Sequence, residues 1–101
     1  MNTMVSTYHI DAYIVDTLMA DLVGHDHKPS AFLVYLHLWC HRKGKAGKTA
    51  VSLQQIAIET GLSKSAVQQG IRILKRRKLI QSQQSSPTSI PEYLLFRPWK
   101  R

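Results

Sequence analysis

Between Val51 and Ile80 the chain reads VSLQQIAIETGLSKSAVQQGIRILKRRKLI, and the spacing within that stretch admits few backbones. Ser52 followed three residues later by Gln55 is a capping-box start, in which each side chain bonds the other residue's backbone N–H. Leu53, Ile56, Ala57 and Thr60 then share one helix face. Gly61 supplies the left-handed conformation that ends a helix, and Ser63 caps the next one. Ala57 and Gly61 are small where two helices would cross closely. Val67, Ile71 and Leu74 return at i, i+4, i+7, a single buried stripe.

The second helix carries the stronger signal. At 100° per residue, Ala66, Val67, Gly70, Ile71, Ile73 and Leu74 fall on one broad side. Ser65, Gln68, Gln69, Arg72, Lys75 and Arg76 fall on the other, which holds no acid and no large apolar residue. An ordinary solvated face mixes signs, with Glu and Lys paired four apart. Amides, a hydroxyl and cations suit base edges and phosphates instead: Gln pairs bidentately with adenine and Arg with guanine.

On Ala57, Gly61, Leu62, Ser63, Val67, Ile71, Leu74 and the closing Leu79-Ile80, the segment resembles the winged helix-turn-helix superfamily. It is close to the DNA-binding domains of GntR-like and MarR-like bacterial regulators. The resemblance implies a mainly α fold with a small β-wing. Winged domains also bind RNA or proteins, so the fold alone does not decide the partner.

Charge narrows the choice. The net charge is +8, from 14 basic and 6 acidic residues. Asp11, Asp16, Asp21 and Asp26 lie in residues 1–27, which hold no Lys or Arg. All 14 cations follow, opposed only by Glu59 and Glu92. A basic body behind an acidic N-terminal segment predicts a polyanion-binding surface on one side. At 101 residues the chain is read as one domain with one modest core. No apolar run approaches a membrane span, and no secretory leader is visible. The single Cys excludes an internal disulfide and fits a cytoplasmic location.

Elsewhere the periodicity predicts an extra N-terminal helix over 11–23, on Ile14, Leu18 and Leu22, with Gly24 at its end. A central helix over 30–42 starts behind Pro29. It is apolar almost all round, so more than one side must be covered. That cover is either internal or a homodimer through 11–23 and 31–40. Gly44–Lys48 is a flexible basic loop, and Thr49–Val51 a short strand. The helix-turn-helix occupies 52–60 and 63–77. The wing spans 79–97, with strands at Leu79–Gln84 and Glu92–Arg97 around a tip rich in Ser, Thr and Pro. That tip carries no Lys or Arg, unlike the basic wings of many relatives.

No other chemistry is expected. Gly47-Lys48-Thr49 lacks the upstream glycine of a phosphate-binding loop, since Arg42 stands there. His37 and His41 are i, i+4 with Cys40 beside them, a spacing that can hold zinc, but further ligands are needed. His25 and His27 are the available ones, and two ordinary histidines are the commoner reading. No catalytic constellation stands out, so no enzyme activity, metal or cofactor is anticipated. Trp99 is expected to pack against the wing. Ile58 falls off the apolar face of its helix.

The sequence thus predicts sequence-specific double-stranded DNA binding by a small regulator, with helix 63–77 in the major groove. Ser65, Gln68, Gln69 and Arg72 are the candidate base readers, and Lys64 and Lys75 hold phosphates. Lys48, Thr49, Ser52 and Ser63 add phosphate contacts near helix N-termini and the basic loop. Arg76, Arg77 and Lys78 suit the helix C-terminus electrostatically and extend toward the backbone. The alternatives are a protein-interaction module using the apolar 31–40 helix and a replication-initiation or RNA-binding winged domain.

Overall fold

The computed structural model describes residues 6–43 and 47–100; residues 44–46, the first three of the anticipated basic loop, lie outside them. The central helix α1, Pro29–His41, organises the rest. Proline suits its start, where a backbone N–H would have no helical partner. Ala31, Phe32, Val34, Tyr35, Leu38 and Trp39 are all buried, whereas Leu33 remains exposed. The helix is covered from within the chain, by the N-terminal segment on one side and by the paired helices α2 (Leu53–Thr60) and α3 (Lys64–Arg76) on another.

The N-terminal segment is helical, as the four-residue repeat predicts, and Ile14, Leu18 and Leu22 are buried against the core. Its winding differs from expectation. Over Ile14–Leu18 and Ala20–His25 the turns are π-helical, with Met19 N–H bonded to the Ile14 carbonyl and Asp26 N–H to that of Asp21. The helix also runs through Gly24 rather than stopping there. Nothing in the sequence marks the wider winding.

The α2–α3 unit follows the sequence signals closely. Ser52 Oγ accepts from Gln55 N–H and Ser63 Oγ from Ala66 N–H, both at 3.1 Å. Gly61 ends α2 at φ 80°. The reciprocal half of the capping box is missing, because the Gln55 side chain donates to Glu59 instead. Gly61, one of the two small residues expected at a close helix crossing, is not at one. A Cβ on Gly61 would meet nothing within 4 Å, whereas one on Gly70 would lie 3.2 Å from Ala31 Cα, Ser30 O and Val34 Cγ2. The missing side chain of Gly70 is what lets α3 lie against the first turns of α1. The far end of α3 closes in a Schellman motif: Lys78 N–H bonds the Lys75 carbonyl and Leu79 N–H that of Leu74. Lys78 takes the left-handed position, φ 59°, that glycine usually fills.

Three short antiparallel strands, β1 (Lys48–Ala50), β2 (Ile80–Gln83) and β3 (Glu92–Leu95), form a sheet in the order β1-β3-β2. Ile80 pairs with Leu95 and Ser82 with Tyr93, which puts Ile80, Tyr93 and Leu95 in the core. This is the expected mainly α fold with a small β-wing, a winged helix-turn-helix carrying an extra N-terminal helix. The wing tip turns at Ser86-Pro87-Thr88-Ser89, with Ser89 N–H bonded to the Ser86 carbonyl at 3.1 Å. Proline presets the second position of such a turn.

Charge fastens the N-terminal segment to the body. Asp11 accepts from Arg97 Nε at 2.9 Å and Trp99 Nε1 at 3.0 Å. Burial raises the Asp11 pKa, but these hydrogen bonds and the cationic charges outweigh it and hold the carboxyl below its ordinary value. Trp99, expected against the wing, packs on the edge of the core that the wing strands share. Its ring stacks on Tyr13, centroids 4.7 Å apart, because its N–H follows Asp11. At the other end of the segment, Asp26 pairs with Arg77, and Asp21 approaches the same guanidinium at 3.8 Å.

Candidate nucleic-acid interface

The outer face of α3 is as bare of acid as its sequence. Ser63, Lys64, Ser65, Gln68, Gln69, Arg72, Lys75 and Arg76 are all exposed. Val67, Gly70, Ile71, Ile73 and Leu74 hold the opposite side in the core. Lys64, Arg72, Lys75 and Arg76 form no ion pair with any described residue. Four cations stand together without neutralising partners, so their field extends into solvent.

The face divides into two shallow basins. The larger, about 670 Å³, lies between α3 and the wing. Ser52, Gln54, Lys64, Gln68, Arg72 and Lys75 enter it from the helices, and Ser82 and Gln84 from the wing side. The smaller, about 450 Å³, is lined by Lys28, Gln69, Arg72, Ile73 and Arg76. Arg72 borders both, at the crest, while the adjacent amides Gln68 and Gln69 point to opposite basins.

Lys28, Gln54, Ser82 and Gln84 were not anticipated. Lys28 immediately precedes Pro29 and is the first cation after the acidic segment, a position that could have signalled it. Ser82 and Gln84 alternate from buried Ile80, so the strand period aims them together.

Other anticipated residues are placed differently. Ser52 and Ser63 use a hydroxyl lone pair as helix caps, which leaves each O–H able to donate outward. Thr49 is buried, and its hydroxyl donates to the His41 carbonyl at 2.7 Å. It does not present that hydroxyl to a phosphate: the strand register turns Thr49 inward between exposed Lys48 and Ala50. Lys48 lies 3.8 Å from Glu92 on the neighbouring strand and borders neither basin of α3. Arg77 is turned away from Arg76 toward Asp26 and Asp21. A hydrogen bond from His25, then the charge and hydrogen bond of Arg77, hold the Asp26 carboxyl below its ordinary pKa against the opposing effect of burial. The Ser89 hydroxyl of the wing tip is engaged with the backbone of the turn: Ser86 N–H donates to Ser89 Oγ at 3.0 Å, and Ser89 Oγ donates to the Ser86 carbonyl at 2.8 Å.

Residues 28–80, just over half of the chain, match the family model described as a helix-turn-helix domain. The chain belongs to that family. The matched span of this helix-turn-helix protein begins at Lys28, contains α1, α2 and α3, and closes on the first residue of β2. The N-terminal segment and most of the wing are outside the match. No curated protein and no solved structure matches the chain. Among the described residues no helix is long and apolar enough to cross a membrane.

Proposed function

We propose that this helix-turn-helix protein binds double-stranded DNA sequence-specifically and acts as a small transcriptional regulator, with α3 in the major groove. The nearer likeness to the DNA-binding domains of GntR-like and MarR-like regulators is part of this reading. The observation that carries it is the exposed, acid-free face of α3, with four cations free of ion pairs to described residues. Ser65, Gln68, Gln69 and Arg72 read base edges, as amides and guanidinium do. Lys64 and Lys75 flank them and hold phosphates, with Ser52 and Ser63 donating O–H from the helix starts. Lys28 and Arg76, across Gln69, add a phosphate contact on the far side. The uncharged wing tip leaves discrimination to α3.

A second copy belongs to this reading, because two half-sites double the contacted sequence. Val15, Met19 and Val23 recur every four residues on the exposed side of the N-terminal segment, and Leu33 of α1 is exposed too. The other large apolar residues of α1 are buried or half-buried, so the segment rather than α1 would supply most of the contact.

The deciding experiment selects bound duplexes from a random pool at physiological salt. A recurrent motif is expected, and a palindromic one together with dimeric sedimentation supports paired half-sites. Retention of duplexes with no enriched sequence refutes base reading; no retention at all refutes DNA binding.

A further inference from the structure

On the far side of α2 a different set of groups meets. His37 and His41 lie one turn apart on α1, and Glu59 reaches them from the last turn of α2. One donor atom from each lies within 4.8 Å of the others. They border a hollow of about 290 Å³ that also touches Gln55, Lys43 and Lys48. Neither His25, His27 nor Cys40 joins a donor group among the described residues. The third donor is a carboxylate from another helix, which helix spacing alone does not reveal.

Two imidazoles and one carboxylate, with an open side for water, are a donor set that zinc adopts. Two histidines at i, i+4 present their rings on one helix face, as such a site needs. We infer that His37, His41 and Glu59 form a binding site for a zinc-class divalent cation that ties α1 to α2.

Much of the site is already positioned. The His37 side chain is only 7% exposed, so packing holds its ring. The two imidazoles lie with centroids 4.6 Å apart. Without metal, the His37 Nε2–H donates to Glu59 Oε1 at 2.6 Å. A cation at Nε2 requires the other tautomer, in which the ring's one proton has moved to Nδ1 and the Nε2 lone pair is free to bind the ion. The nitrogen and oxygen must part to about 3.3 Å, the edge of a tetrahedron with bonds of about 2.0 Å. Exposed Glu59 makes that shift by a side-chain rotation.

Three features weaken the site. Among the described residues the buried Nδ1 of His37 has no hydrogen-bond partner, so none supplies the orienting contact usual for a ligating histidine. Lys43 and Lys48 add like charge, although Lys48 has Glu92 at 3.8 Å. Only three protein ligands meet there among the described residues. The affinity is therefore well below that of a four-ligand structural zinc site.

The test uses the full, untagged chain stripped of metal with a chelator and then titrated with Zn²⁺. Calorimetry gives the stoichiometry, and Co²⁺ absorption reports the ligand set. One ion per chain is expected, with Tm raised by about 10 °C at a hundredfold excess over Kd. His41→Ala and Glu59→Gln alter exposed side chains, so both variants should fold, and each should lose at least about tenfold in affinity. No thermal shift and no bound ion at submillimolar Zn²⁺ overturns the site. So does binding that both variants retain, since the ion then sits on other residues. DNA is absent from these assays, so the outcome is independent of the proposed function.

Discussion

Gly70→Ala tests the packing on which the whole face of α3 depends. At an exposed helix position this change stabilises by about 1 kcal/mol, because alanine loses less backbone entropy than glycine. Here the added methyl meets Ala31 Cα, Ser30 O and Val34 Cγ2, each at 3.2 Å. Ordinary carbon–carbon contact is about 3.5–4.0 Å, so the neighbours must retreat by several tenths of an ångström. Two of the three atoms are backbone in the first turn of α1 and cannot change rotamer. Overpacking of this kind costs about 1–3 kcal/mol. Subtracting the propensity gain leaves a net loss of about 1 kcal/mol, or roughly 5 °C in Tm for a domain of this length. Urea unfolding of wild type and variant, compared at equal m, measures the difference. A variant as stable as wild type, or more so, refutes the close α1–α3 crossing. Gly70→Val enlarges the clash and should lower stability further.

The other predictions concern the face, a cap and a carboxylate. Arg72→Ala should cost about 1–3 kcal/mol on the selected duplex and relax its preference, whereas Lys75→Ala should weaken all duplexes alike and reduce the salt slope by about one. Binding isotherms on specific and random DNA separate the two, and equal losses for both variants would sink the base-reading assignment. Lys78→Gly should stabilise by about 0.5–1 kcal/mol, because Lys78 sits at φ 59° where a side chain is strained; thermal unfolding measures it, and a loss of stability contradicts the cap geometry. Asp11→Asn should destabilise by about 1 kcal/mol at neutral pH, through the contacts with Arg97 and Trp99. The folded pKa of Asp11 lies below its unfolded value, so its contribution is present above about pH 4 and disappears as pH falls through the folded value. The gap between wild type and variant should therefore close in acid, and a gap constant down to pH 2 would refute the account.

Much of the helix-turn-helix was legible because its signals are short-range. The caps at Ser52 and Ser63 and the left-handed Gly61 are decided within about four residues of chain. The inward stripe and outward arc of α3 follow from helix geometry alone. Errors began where a side chain had several partners in reach. Gln55 had its own helix N-terminus and Glu59 to choose from, and it took the carboxylate. Arg76 and Arg77 are indistinguishable in composition, yet one helical step of 100° sends the second toward Asp26. Thr49, at the start of an expected strand, read as a phosphate-facing hydroxyl until the register with Tyr93 turned it inward.

By itself the sequence determined two helices with a tight turn between them, an outer face without acid, and a wing without a charged tip. Each follows from neighbours along one chain segment. The tertiary structure decided which cations remain free, where helices touch, and which donors meet. Arg77 and Asp26 are 51 residues apart, and His37 and Glu59 are 22 apart. Such pairs depend on how α1 packs against the other elements, so no local period encodes them. Gly70 shows the same limit. Its place on the inner side of α3 was readable, but that the backbone of α1 would lie where its side chain should be was settled only by packing.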